Sequence, residues 1–146
     1  MQKIESLKAK GSLQVLLTRA DGQVEEHNLH NLVVDTGLNY IVSRMKDTSE
    51  TAMSHMAIGS GTTSAAAGDT ALESQLGRVS LTSTTVSTNT VTYVASFGAG
   101  TGTGAVTEAG ILNDVTTGTL LCRTVFPVVN KQSGDSMTIT WVITVS

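Results

Sequence analysis

The run of nine residues from Met137 to Val145 leaves the least freedom: Met137, Ile139, Trp141, Ile143 and Val145 alternate with Thr138, Thr140 and Thr144. A period of two places the apolar side chains on one face of a strand and the threonines on the other. Such a strand needs a second layer to cover its apolar face. Val91, Tyr93, Ala95 and Phe97 repeat the pattern, and Leu13, Val15 and Leu17 alternate with Gln14 and Thr18. Asp21-Gly22 supplies a turn after the latter, with Gln23 to Leu29 returning as its hairpin partner. Leu120, Cys122 and Phe126 mark one face of another strand, and His55 to Ile58 a short one ending in Gly59-Ser60-Gly61. Ser87 to Thr90 reads as a hairpin connection, and the slipped apolar parity between Leu81 and Val86 predicts a bulge or an edge position.

Two segments change period. Leu38, Ile41, Val42 and Met45 fall at i, i+3, i+4 and i+7, predicting a helix over 36–46 that buries this stripe, with Asp35 as N-cap and Lys46 at its end. Thr70 and Glu73 fit a capping box, predicting a short helical turn with Leu72 and Leu76 inward and Gly77 ending it. The fold expected is mainly β, a two-sheet β-sandwich of jelly-roll type with one amphipathic helix and one short helical turn. Residues 1–11 are expected to form a flexible N-terminal arm and residues 12–146 a single domain, since neither a composition break nor an internal repeat divides them.

A chain of 146 residues buries enough surface for a core without staples. The single cysteine, Cys122, offers no intrachain disulfide and no cysteine zinc site. A net charge of −3 argues against nucleic acid as partner, whose binding rests on a basic surface. Lys3, Lys8, Lys10 and Arg19 give the N-terminal stretch a local positive excess, read either as a steering element for an acidic partner or as a solvated chain end. The sequence shows neither a membrane-spanning apolar run nor a signal-peptide core, so a soluble protein made in the cytoplasm is expected. Charged residues are 14% of the chain, a balance suited to a surface that faces other protein.

Catalytic and cofactor chemistry finds little to work with. The glycine run from Gly98 to Gly104 lacks the Gly-Lys-Ser/Thr ending of a P-loop and the dinucleotide spacing, which leaves a sheet connection or contact loop. His27 and His30 lie near Glu25 and Glu26, but residues three apart on a strand face opposite ways, so no metal site is expected. Gly59-Ser60-Gly61 has the wrong spacing for a nucleophile elbow. Few aromatics are present for a sugar cleft, and most of those present sit at core parity. Glu108 stands in the uncharged stretch Ala105 to Leu112 and needs backbone donors or an arginine, Arg78 or Arg123, if buried. No enzyme activity and no cofactor is therefore expected.

Three stretches, His30 to Ile41, Met56 to Thr63 and Glu108 to Leu112, linked by Gly68 to Leu72 and Leu76 to Arg78, resemble small virion proteins of tailed bacteriophages. The resemblance covers most of the chain from about residue 30 onward and is closest to jelly-roll capsid decoration, or cement, proteins. It implies a virion structural protein on the outer capsid surface, binding the major capsid protein and itself as a homodimer or homotrimer, without nucleic acid or membrane. A tail fibre or tail-tip module for host attachment is the alternative. The contacts expected are the basic N-terminal residues Lys3, Lys8, Lys10 and Arg19 and the loops at residues 47–51, 59–68 and 98–104, with Ser60, Thr62, Thr63, Thr101 and Thr103 at the last two.

Overall fold

The computed structural model describes residues 6–46 and 50–146. Nine strands and one helix follow in the order β1 (Ala9–Thr18), β2 (Val24–Val33), α1 (Asp35–Arg44), β3 (His55–Gly59), β4 (Gln75–Ser80), β5 (Ser83–Ser87), β6 (Thr90–Phe97), β7 (Gly104–Leu112), β8 (Leu120–Lys131) and β9 (Ser136–Val145). They form one antiparallel sheet of order β4-β3-β7-β8-β2-β1-β9-β6-β5.

The sheet curls, because β2 and β8 pair only at Leu32 with Arg123 and Val33 with Cys122 before diverging. Apolar faces on the two sides of this seam then meet in one core. Leu13, Leu17, Phe97, Ile139 and Trp141 come from the β1-β9-β6 side, and Met56, Ile58, Ile111 and Phe126 from the β3-β7-β8 side. Each alternating apolar set recognised in β1, β6 and β9 faces inward. Trp141, the largest side chain that is fully buried, sits opposite Leu13 and Tyr93 on its neighbours.

The parity slip after Leu81 marks a break between two strands. β4 and β5 are the two edges of the sheet, joined by Leu81 and Thr82. The Leu81 N–H donates to the Ser54 carbonyl and the Thr82 N–H to that of Val94, so this step crosses from one half of the curl to the other.

Four local expectations are corrected. No short helix follows Thr70: residues 70–74 are irregular and Gln75 already opens β4, while the Glu73 carboxylate accepts the Thr62 N–H. Leu72 does face inward, against Val34, Ala57, Leu112 and Leu120, but Leu76 is exposed. Leu120 belongs to that small cluster and not to the face of Cys122 and Phe126, because the β7–β8 register shifts at Ile111 and Leu112. Lys10 lies within β1, paired with Thr144, so the sheet begins inside the expected arm.

The helix holds the fourth. Its N-cap is Val34, without a side-chain hydrogen bond, and Asp35 is in its first turn. Arg44, not Lys46, is the basic residue of the last turn. Leu38, Val42 and Met45 are exposed, Met45 at 86%, and only Ile41 of the expected stripe is part-buried. The face turned inward carries Gly37, Tyr40 and Ile41, and a Cβ on Gly37 would collide with the Leu121 carbonyl oxygen. Thr36 fastens the same turn by donating its hydroxyl to the Leu120 carbonyl at 2.8 Å. Alanine normally favours a helix over glycine by about 1 kcal/mol. At Gly37 the sign reverses: Gly37→Ala is expected to lower stability by about 1–3 kcal/mol, the usual cost of overpacking. Urea unfolding of the two proteins measures it.

Candidate interaction surface

The outer side of β3-β7-β8 is covered by a strap, residues 60–74, and one carboxylate holds both its ends. Glu108 on β7 is fully buried. Its Oε2 accepts the N–H of Gly61 at 2.7 Å and of Ser74 at 2.8 Å, and its Oε1 accepts the Glu73 N–H at 2.9 Å and Arg123 Nε at 3.0 Å. Arg123 on β8 extends the clasp to the middle of the strap, with Nη1 donating to Asp69 Oδ2 at 2.9 Å and Nη2 to the Thr63 carbonyl at 3.0 Å. Thr107 donates its hydroxyl to the Gly61 carbonyl.

Small residues make room for this. A Cβ on Gly59 or Gly61 would fall onto Glu108 and neighbouring strap atoms, and one on Gly110 would lie 3.0 Å from both Leu72 and Leu120. Of the sequence alternatives for Glu108, Arg123 is the partner. Arg78 is committed to Gln75 and to the carbonyls of Asp114 and Thr117.

The described contact residues divide among four places. Ser60 is part-buried, its hydroxyl bonded to that of Ser74, while Thr62 and Thr63 are exposed on the strap. Thr101 is part-buried and Thr103 exposed in the 98–104 loop, which packs against Leu76 and Gly77 at the start of β4. The strap and this glycine loop therefore border the same strand. Lys8 and Lys10 are exposed at one end of β1 and Arg19 follows its other end, about 30 Å away at strand rise, so they form no single basic patch. The Arg19 guanidinium is engaged by Glu25 at 2.8 Å, Asp135 at 2.9 Å and the Asn130 carbonyl. Lys3 and residues 47–49 of the predicted 47–51 loop lie outside the described residues.

Sequence reasoning underused the threonine faces. Outward positions on β6 and β9 carry Thr90, Thr92 and Ser96 beside Thr138, Thr140 and Thr144, and β5, β6 and β9 contain no charged residue. The alternation that marked the core also marked this uncharged outer surface.

Reactive groups do not converge. Cys122 is fully buried, and burial pushes its thiol well above the ordinary value. His55 Nδ1 lies 2.8 Å from the Ser54 hydroxyl and its Nε2 3.4 Å from that of Ser80. His27 is on the inner side of β2 and His30 on the outer. Among the described residues, no group of three His, Cys, Asp or Glu side chains is placed to hold a metal ion, and no helix is long and apolar enough to cross a membrane.

Several turns are fastened by carboxylates that titrate below their ordinary values. The Thr117 and Thr116 N–H groups hold Asp114 down to about 2. The Gln132 N–H lowers Asp135, with help from Arg19, and Arg19 lowers Glu25. The Thr63 hydroxyl and Thr62 N–H lower Glu73. A group depressed on folding contributes stability that is complete above its unfolded value and lost as pH falls through its folded one. The melting temperature is therefore expected to fall as pH drops from 4.5, the ordinary value of Glu25 and Glu73, towards about 2, where Asp114 titrates, with Asp114→Asn showing a shallower fall. Calorimetry across that range checks it.

No family model, curated protein or solved structure matches this chain.

Proposed function

We propose that this protein is a non-catalytic structural component of a tailed-phage virion, a capsid decoration protein that binds the outside of the shell and bridges neighbouring major capsid subunits. The observation that carries this reading is the convergence of the resembling stretches. Met56 to Thr63, Gly68 to Leu72 and Leu76 to Arg78 follow one another within residues 56–78, and the distant stretch Glu108 to Leu112 joins them through the β3–β7 pairing, with Glu108 clasping the strap. They form a surface loop ordered in advance, which lowers the entropy cost of binding. The jelly-roll assignment belongs to the same proposal; the nested pairing of β1 with β9, β2 with β8 and β3 with β7 favours it, while the direct hairpin pairing of β1 with β2 and of β7 with β8 departs from it.

The exposed strap threonines and the uncharged β5-β6-β9 face suit contacts with protein, including other copies of the chain, since interface centres are poor in charge. Repetition over a shell turns a modest contact into a large effect through avidity. Purified protein mixed with expanded empty capsids is expected to co-sediment with them. Absence of binding to both capsids and isolated major capsid protein overturns the proposal, and attachment to host cells in its place supports a tail module.

A further inference from the structure

An edge strand is a row of unpaired backbone donors and acceptors, which natural proteins blunt with charge, proline, bulges or cover. The two edges of this sheet differ. β4 has a register shift against β3 and carries Arg78, bonded to the 114–117 turn. β5, Ser83-Thr84-Thr85-Val86-Ser87, has no charge and no proline, pairs with β6 in unbroken register, and is exposed at every residue, Val86 at 71%.

We infer that β5 is a self-association site, where Ser83–Ser87 pairs antiparallel with the same strand of a second copy about a two-fold axis through Thr85. Ser87 and Thr90 flank the two-residue turn Thr88-Asn89 and are directly paired. Hydrogen-bonded and non-bonded pairs alternate from that turn. Ser83, Thr85 and Ser87 thus aim their backbone groups at β6, and Thr84 and Val86 aim theirs at the free edge.

A two-fold at Thr85 sets Thr84 opposite Val86 of the other copy on both sides, which lets their backbone groups satisfy one another, with Thr85 facing its symmetry mate. Ser83 then meets Ser87. These are compatible cross-strand pairs, and no like charges oppose. The outward-bonding residues Thr84 and Val86 sit symmetrically about Thr85 on a strand with no charge and no proline, so a second copy meets it in register at all five positions, which is what favours it over an unrelated strand as occupant. The uncharged threonine face then runs on from one copy to the next. This gives the self-association in the proposed function a surface, but its test needs no capsid, so either reading can fail without the other.

Sedimentation of the full chain is expected to show a species of twice 15.2 kDa. Thr85→Lys and Thr85→Glu, each placing like charges across the axis, are expected to be monomeric alone and to form a mixed dimer when combined. Val86→Pro removes one outward N–H and is expected to abolish the dimer while circular dichroism stays that of the parent. Thr85→Cys is expected to cross-link to itself on mild oxidation, with the buried Cys122 unreactive. A chain that stays monomeric as its concentration is raised overturns the inference. So does a dimer that survives both Thr85→Lys and Val86→Pro, or one abolished by Val42→Lys on the exposed face of α1 and indifferent to Thr85→Lys.

Discussion

Glu108→Ala is expected to lower the free energy of unfolding by about 3–5 kcal/mol, the range for removing one partner of a buried charge pair. Against a total of about 5–15 kcal/mol for a domain, that is a severe loss. The side chain answers four donors: the N–H groups of Gly61, Glu73 and Ser74, and Arg123 Nε. Alanine leaves them without an acceptor and leaves Arg123 buried with Asp69 as its remaining ion-pair partner.

Glutamine is expected to fare little better, because each carboxylate oxygen accepts two donors and either orientation of the amide turns an NH2 group against two of them. Arg123→Met is expected to cost less, since the three backbone donors keep their acceptor. Urea unfolding ranks the variants, and hydrogen exchange gives the local readout. In Glu108→Ala the amides of Gly61, Glu73 and Ser74 should lose protection before those of β1 and β9. Uniform loss across the sheet would show that the clasp supports the whole core and not the strap.

Trp141→Ala is expected to cost about 3–5 kcal/mol, the range for emptying a large buried aromatic site. The residue is completely buried at the centre of β9, between Leu13 on β1 and Tyr93 on β6, so no exposed neighbour is free to collapse into the space. Trp141→Phe separates volume from polarity. The indole Nε1 is buried and has no hydrogen-bond partner among the described residues, so phenylalanine removes a buried N–H that no protein group answers, along with part of the ring. Its cost is expected to be well below that of alanine. Thermal and urea unfolding of both variants decide this, and equal losses would mean that the N–H contributes to stability through a partner such as water.

Where one face of a strand was buried, the sequence was transparent. The inward sets of β1, β6 and β9 were readable because strand geometry alone assigns alternate residues to opposite faces. The need of Glu108 for a partner was readable too, since a carboxylate amid apolar residues is costly unless bonded. That Arg123 answers it depends on the β7–β8 register, which sets Arg123 beside Gly110, two residues from Glu108.

The helix was misread because periodicity ranks side chains by hydropathy and ignores how closely a backbone approaches its neighbour. Leu38, Val42 and Met45 make the more apolar stripe, yet Gly37 faces inward because only a residue without a Cβ fits against Leu121. The capping box from Thr70 failed for a related reason. Glu73, which should have capped its own helix, gives its carboxylate to Thr62 and its N–H to Glu108.

The sequence by itself thus determined the β character, the faces of the main strands and the demand for a buried partner at Glu108. Tertiary structure alone decided the curl at the β2–β8 seam, the exposure of the helical stripe, the clasped strap and the free edge at β5. Alternation and burial cost are local properties that any window of the chain carries. Strand order, close backbone approach and the pairing of distant charges exist only once segments far apart in sequence are packed together.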